Sequence, residues 1–475
     1  MRRLLAVLLT GAALAGCTLE PHYLRPTTRA PATFPVGGTY PAAAPALPSV
    51  SYPDVFKDPH LQAVIVQAIA NNLDLQIAMA NVAIARSQYG VQRAQLLPRI
   101  NAVVGGGENN RPSATAGSGG NTSRNYSADV GFSAFQLDLF GRVRSLSHAA
   151  QEQYFASEAG IHAARLTLVA EVANAYLLLA ADRSLLAIAT DTVTSAQRTV
   201  DLTQARLTGG IAPRTDLRQA QTVLDQSLSD AANLKALVAQ DRNLLELLVG
   251  APVTDIDLPA SIESVDGLLA EVPAGLDSRV LLRRPDVVAA EYRLRAANAQ
   301  IGAARANFFP TISLTALAGL ASPALGRLFD GGNSSWTTSA NATQPIFAGG
   351  ANVATLAQAR GQRELAVAQY QRAIQTAFRE VADALARRGT IRDQMDAQTA
   401  LVAAASDAYV LQEARYRQGI DPFLNSLTTQ RTLYAARRTL AATRLLQAQN
   451  LVALYRTLGG DQLIDARPAR PSLLP

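Results

Sequence analysis

Apolar and polar positions follow two periods along this chain, and the helical one dominates. From Arg142 to Thr208 there is no proline and one glycine, Gly160, in a run dense in Ala, Leu, Gln and Arg. Such side chains lose little freedom in a helix, so the run predicts one rod of roughly 100 Å. Ordinary globular helices are far shorter. A second proline-free run spans 351–418. A glycine turn follows each, at Gly209-Gly210 and at Gly419, and a return helix then ends at Gly250 or Gly459. The first return helix carries Leu217, Leu224, Ala231, Val238 and Leu245, with Leu228, Leu234 and Leu248 nearby. That seven-residue comb predicts a coiled-coil seam against the rod.

The short period appears between these helices. Ile312, Leu314, Ala316 and Ala318 alternate with Thr311, Ser313 and Thr315; Tyr126 to Ser133 and Trp336 to Thr343 alternate in the same way. Period-two patterning over about ten residues suits membrane β-barrel strands. The strand pairs are expected to be joined by loops from Gly105 to Asn125 and from Ala321 to Ser334. Four strands cannot close a barrel, and open edges in lipid leave N–H and C=O groups unsatisfied at several kcal/mol each. Membrane insertion of these strands therefore requires several copies of the chain.

The chain also repeats itself. Asn72-Leu-Asp74 through Leu97-Pro98 aligns without gaps on Arg284-Pro-Asp286 through Phe309-Pro310, a step of 212 (286 − 74). Farther on the step is 209: Glu171-Val-Ala-Asn-Ala meets Glu380-Val-Ala-Asp-Ala, and Gly210-Ile211-Ala-Pro213 meets Gly419-Ile420-Asp-Pro422. Gly250 meets Gly459 in the same register. Each half thus reads as a first helix (Leu61 to Leu97, then Val287 to Phe309), two strands, a rod, a turn and a return helix.

Composition narrows the class. Of 475 residues 48% are hydrophobic and 17% charged, a low charge that fits helices packed closely on one another. The net charge is +6, with only two lysines, Lys57 and Lys235. Removing Arg2 and Arg3 with a leader leaves about +4, which predicts no nucleic-acid partner. Met1-Arg-Arg before Leu4-Leu-Ala-Val-Leu-Leu reads as a secretory signal ending in Leu14-Ala15-Gly16-Cys17. Cys17 is the only cysteine and is the expected lipidation site; that tetrapeptide resembles the bacterial lipobox, and Thr18 after it suggests the outer membrane. With Cys17 acylated, no thiol remains for a disulfide, metal or nucleophile. The expected organisation is signal peptide 1–16, lipid-anchored linker 17–53, first repeat 54–250, inter-repeat linker 251–280, second repeat 281–460 and tail 461–475.

Catalytic and cofactor chemistry find no foothold. His22, His60, His148 and His162 lack a second ligand at metal spacing, and Gly105-Gly-Gly107 lacks the helix and lysine of a phosphate loop. No enzyme activity, metal or cofactor is expected. A lipid-anchored periplasmic coiled-coil scaffold or adaptor without a barrel is the competing class; it predicts soluble strands.

Taken together the chain resembles the TolC-like outer-membrane factors, in their lipoprotein branch serving tripartite efflux systems. The likeness rests on Pro21-His-Tyr23 with Pro26, Leu137-Asp-Leu-Phe-Gly-Arg142, Glu171-Val-Ala-Asn-Ala-Tyr176, Gln344-Pro-Ile-Phe-Ala-Gly-Gly350 and the two Gly-Ile turns, and it covers essentially the whole chain. It implies a mainly α fold with a small membrane β part. Three copies would form a 12-stranded β-barrel on a 12-helix α-barrel tunnel, serving as a passive export duct. It implies as partners a periplasmic adaptor, an inner-membrane RND-type pump and outer-membrane lipid. Residues matching the periplasmic tips, where an adaptor would dock, are Arg206, Gly210, Ile211, Pro213, Asp216, Arg415, Gly419, Ile420 and Pro422. Those matching the gate are Tyr416, Asp421, Leu424 and Arg431. One position departs from the pattern: Thr428-Thr429-Gln430 stands where an acidic residue is common.

Overall fold

The computed structural model describes residues 18–28, 30–40, 52–111, 121–265 and 278–460; Cys17, the leader and the tail lie outside them. The first half runs α1 (Tyr52–Val55), α2 (Pro59–Asn71), α3 (Leu73–Ala94), β1 (Asn101–Arg111), β2 (Asn121–Leu137), α4 (Arg142–Thr208) and α5 (Arg214–Val249). Short 3-10 turns lead into the second half: α6 (Pro285–Ala306), β3 (Thr311–Ser322), β4 (Ser334–Thr343), α7 (Ala351–Arg417) and α8 (Phe423–Thr457). Both rods form, each as a single helix of 67 residues. The chain divides into two compact units: Met1–Thr27 with Asn81–Glu158 and Ala289–Tyr370, and Thr28–Ala80 with Ala159–Val288 and Gln371–Pro475.

The first unit holds one antiparallel sheet in the order β1-β2-β3-β4. Its outer strands, β1 and β4, have no further partner among the described residues. The expected loop from Gly105 is a correction: Gly105 to Arg111 continue β1, paired residue for residue with β2 from Ser127 to Asn121. Cross-strand hydrogen bonds hold this glycine-rich segment extended, although it lacks the side chains that announce a strand. A bulge between Phe132 and Phe135 bends β2, and Ala134 there has φ +53°. Below the sheet Asp138 starts α4, accepting from the Val143 and Arg144 amides at 3.1 and 2.8 Å.

The N-terminal linker departs from expectation too, because its described parts are docked. In the first unit Leu19 and Pro21 offer carbonyls to Arg305 and Asn298 of α6, at 3.1 and 2.8 Å. Glu291 of α6, nearly buried, accepts from Tyr23, Arg25 and Arg295. His148 of α4 lies between Glu20 at 2.9 Å and Glu152 at 3.2 Å. In the second unit buried Phe34 stacks on Phe378 of α7 at 4.8 Å, and the Thr39 carbonyl presses on Gly389. A Cβ at Gly389 would sit 2.0 Å from that oxygen, so only glycine lets the strap cross α7 here.

The second unit carries the main apolar core, where α4 contributes Val172, Ala173, Tyr176, Leu177 and Leu179. α2 packs on it through Leu61, Val64 and Ile65, and α5 through Leu245 and Val249. The segment after Gly250 is more than a linker, since Val253, Leu258 and Ile262 are buried in the same core. The expected helix Leu61 to Leu97 is broken at Asn72, where the chain bends by 42°. Asn72 is the cause: its Oδ1 caps α3 at the Leu75 amide and its Nδ2 donates to the Leu248 carbonyl, both at 2.9 Å. The duplicate does the same with different chemistry. Arg284 aligns with Asn72 and donates to the Thr457 carbonyl at 3.0 Å, and Thr457 is the repeat mate of Leu248 (457 − 248 = 209). The α5 comb is buried at Leu217, Leu224, Ala231 and Leu245, half-buried at Val238, while Leu228 faces out. α4 contains the one stretch among the described residues apolar and long enough to cross a membrane as a helix. Most of that stretch is buried in the protein, as a core helix is.

Candidate functional site at the paired helix turns

Both rods end by the same local rule. Gly210 and Gly419 adopt φ +70° and +76°. The Gly210 amide bonds to the Leu207 carbonyl and the Ile211 amide to that of Arg206; Gly419 and Ile420 repeat this with Tyr416 and Arg415. Each is a left-handed helix stop that satisfies the last carbonyls, and non-glycine residues resist that conformation. Pro213 and Pro422, in extended backbone, then start α5 and α8. Asp216 sits in the first turn of α5, where the helix dipole favours an anion. Ile211 and Ile420 remain exposed at the tips of the turns.

The two turns differ at one arginine. Arg415 is held inside its own turn by Asp421, at 2.6 and 3.1 Å, and the guanidinium keeps that carboxyl below the usual carboxylate range. The repeat mate of Asp421 is Ala212, so Arg206 has no such anion beside it. Arg206 reaches instead to the end of α7, donating to the Tyr416 and Arg417 carbonyls at 3.0 Å each, with its Cζ 4.4 Å from the Tyr416 ring centre. A cation on the last carbonyls of a helix is favourable, and stacking on the ring adds to it.

The expected gate residues separate into two groups. Tyr416 is 5% exposed and packs on Phe423, Leu427 and Ala220; Asp421 is engaged by Arg415. Leu424 and Arg431 lie on the exposed face of α8, with Thr428 between them. The opposite face of α8 holds Ser426, Leu427, Gln430 and Leu433, all buried.

Residues that the sequence reading missed fasten α8 above the turn. Ser195 Oγ lies 3.1 Å from Gln430 Nε2 and 3.0 Å from the Tyr409 hydroxyl. Arg437 pairs with Asp191 at 2.9 Å, and the Tyr434 hydroxyl donates to Asp230 at 2.7 Å. Burial and the Asp230 carboxylate push the Tyr434 hydroxyl up to about 12, so it stays a donor at neutral pH. Beside these contacts lies a cavity of about 260 Å³ lined by Asp191, Ser195, Arg198, Tyr409, Glu413 and Arg437. The only sequence signal for them was the repeat register, which aligns Gln430 with Gln221.

The chain is thus a duplicated unit of long helices with an open antiparallel sheet and two matching glycine turns. The chain belongs to the outer membrane efflux protein family, whose model matches residues 64–251 and 276–460. It is 42% identical, over 97% of its length and 96% of the relative's, to a probable efflux pump outer membrane protein, TtgC of Pseudomonas putida. Outer membrane protein OprJ of Pseudomonas aeruginosa is 37% identical over 96% and 95% of the two chains. Among solved structures, the open state of the Neisseria gonorrhoeae MtrE outer membrane channel matches with a TM-score of 0.80 at 36% identity, covering 94% of this chain and 99% of that one. A membrane protein from Pseudomonas aeruginosa matches with a TM-score of 0.86 at 35% identity, covering 93% and 100%.

Proposed function

We propose that this protein is the outer-membrane channel of a tripartite efflux pump, a passive duct through which solutes leave the periplasm. The observation that carries this reading is the duplication: both halves match the efflux-channel family, and relatives named as efflux channels align over nearly the whole chain. A scaffold without a barrel draws no support from those relatives. The two open sheet edges support a trimer, in which twelve strands and twelve helices close a barrel on a tunnel. Cys17 carries the lipid, and the docked strap from Thr18 onward starts one residue after it. The turns at Gly210 and Gly419 form the periplasmic end, where the hairpins of an adaptor dock and an RND-type pump is coupled. Exposed Leu424, Thr428 and Arg431 face the constriction, with threonine in place of a carboxylate, while Tyr416 and Asp421 support the turn that carries them.

The test is reconstitution. The purified protein is expected to run as a heat-modifiable trimer and to open ion-conducting pores in planar bilayers. A protein that stays soluble and monomeric without detergent, and conducts nothing, would sink the channel reading. Cys17→Ser is expected to abolish palmitate labelling; labelling that persists in that variant removes the lipid assignment.

A further inference from the structure

The α5 side of the seam with α4 carries a charged residue at one level only. Its comb of Leu217, Leu224, Ala231, Val238 and Leu245 is interleaved with Ala220, Ser227, Leu234, Asp241 and Leu248, so Asp241 holds a core position of the heptad. Asp241 is 7% exposed and meets Asp182 of α4, itself 8% exposed. The Asp241 Oδ2 atom has no hydrogen-bond partner. Apolar packing continues on both sides, through Leu185, Ala189 and Leu234 on one and Leu179 and Leu245 on the other.

Among the described residues no cation acts on the pair. On α4, Arg183 donates to the Pro259 carbonyl at 2.7 Å. On α5, Arg242 binds Glu246, Asp255 and the Val253 carbonyl. From α8, Arg444 pairs with Glu263 and Arg437 with Asp191; from α2, His60 faces Asp257 at 3.5 Å. The carboxylates of the turns after α5, Asp255, Asp257 and Glu263, are engaged in those same contacts. Two ionised carboxylates here would face each other in a poorly solvated seam.

The second half shows what the seam prefers. With the step of 209, Asp182 aligns with Ile391 and Asp241 with Asn450. Asn450 is buried and donates through Nδ2 to the Ala384 carbonyl at 2.9 Å. A carboxyl can act as a donor of that kind only when protonated. We propose that Asp182 and Asp241 form a proton-binding site, sharing one proton, which makes the packing of the first helical hairpin respond to pH while the second does not. Burial, with the facing Asp182 carboxylate, pushes Asp241 up to about 6, and burial raises Asp182 as well. The folded hairpin therefore holds a proton that the unfolded chain releases near pH 4. Its stability falls as pH rises from about 4 to about 6 and stays lowered above that.

Hydrogen exchange on the full-length protein tests this with an internal control. After correction for the intrinsic rate, protection of α5 peptides over 234–249 is expected to fall about tenfold from pH 5 to pH 7.5, while α8 peptides over 443–457 stay level. Asp241→Asn, which copies the second half, is expected to flatten the α5 response and raise protection at pH 7.5. If that variant fails to assemble, the double variant Asp182→Ile, Asp241→Asn, which copies both residues of the second half and removes both carboxyls, carries the test, with the same flattening expected. Equal pH responses in α5 and α8, or an α5 response unchanged in either variant, would overturn the proposal.

Discussion

At the residue scale, duplicated positions diverge when a neighbour changes. Arg206 and Arg415 occupy the same place in their halves, yet Asp421 keeps Arg415 local while Ala212 frees Arg206 to cap α7. Arg206→Ala should therefore loosen the end of α7 by about 1 to 3 kcal/mol, the usual range for bonds from a charged donor. Faster exchange of the Tyr416 to Gly419 amides in that variant would show it; unchanged exchange would assign the capping elsewhere. Arg415→Ala should be milder, because its partner lies in its own turn and the arginine itself is half-exposed. His148 makes a pH statement of the same sign as the buried acid pair, at higher pH. The Glu152 and Glu20 carboxylates raise it to about 10 against the opposing effect of burial. Its contribution to holding the N-terminal strap is thus complete below about pH 6.5, falls as pH rises from there and is gone above about 10. Protease cleavage within 18–25 should be slowest below about pH 6.5, quicken as pH rises toward 10 and level off above it; cleavage that is fastest near neutral would contradict the ion triplet.

At the element scale, what the sequence showed and what it hid follow from the forces involved. The rods were legible to within a residue because their ends are set locally, by Asp138 at one start and by Gly210 and Gly419 at the stops. β1 was hidden because Gly105 to Asn110 owe their extended form to β2 and not to their own side chains. The docked strap was hidden for a similar reason. A Pro/Ala/Thr-rich run reads as a free linker, and only Gly389, a glycine inside a rod, hinted that something crosses it. Family motifs locate the turn without telling which side chains the turn itself consumes, as it does Tyr416 and Asp421. The break at Asn72 offers a test of the repeat logic. Asn72→Ala removes the α3 cap and the bond to the Leu248 carbonyl, both buried, and should destabilise this end of the unit by about 2 to 4 kcal/mol. A drop in thermal midpoint of several degrees is expected; a neutral result would mean the bend is held by packing alone.

At the scale of the whole molecule, the sheet is the part that one chain cannot complete. β1 and β4 are its free edges, and between them lie β2 and β3. Because neighbouring strands alternate in direction, closing a barrel would set β4 of one copy antiparallel to β1 of the next, with the Thr343 end of one beside the Asn101 end of the other. Ile346 and Phe347, just past β4, are 92% and 90% exposed in the single chain, as are Leu97 and Ile100 to a lesser degree just before β1. Barrel closure would bring these two apolar stretches to the same rim. Paired cysteines at Asn101 and Thr343 test this, since the only native cysteine is Cys17. Within one chain the two edges are separated by three strand spacings, about 14 Å, beyond a short bifunctional maleimide. Between adjacent copies of a closed barrel the spacing would be about 5 Å. The double variant should therefore yield covalent dimers and trimers on a denaturing gel, and each single variant neither. Monomer alone, or ladders that continue past three copies, would mean that the edges close in some other way.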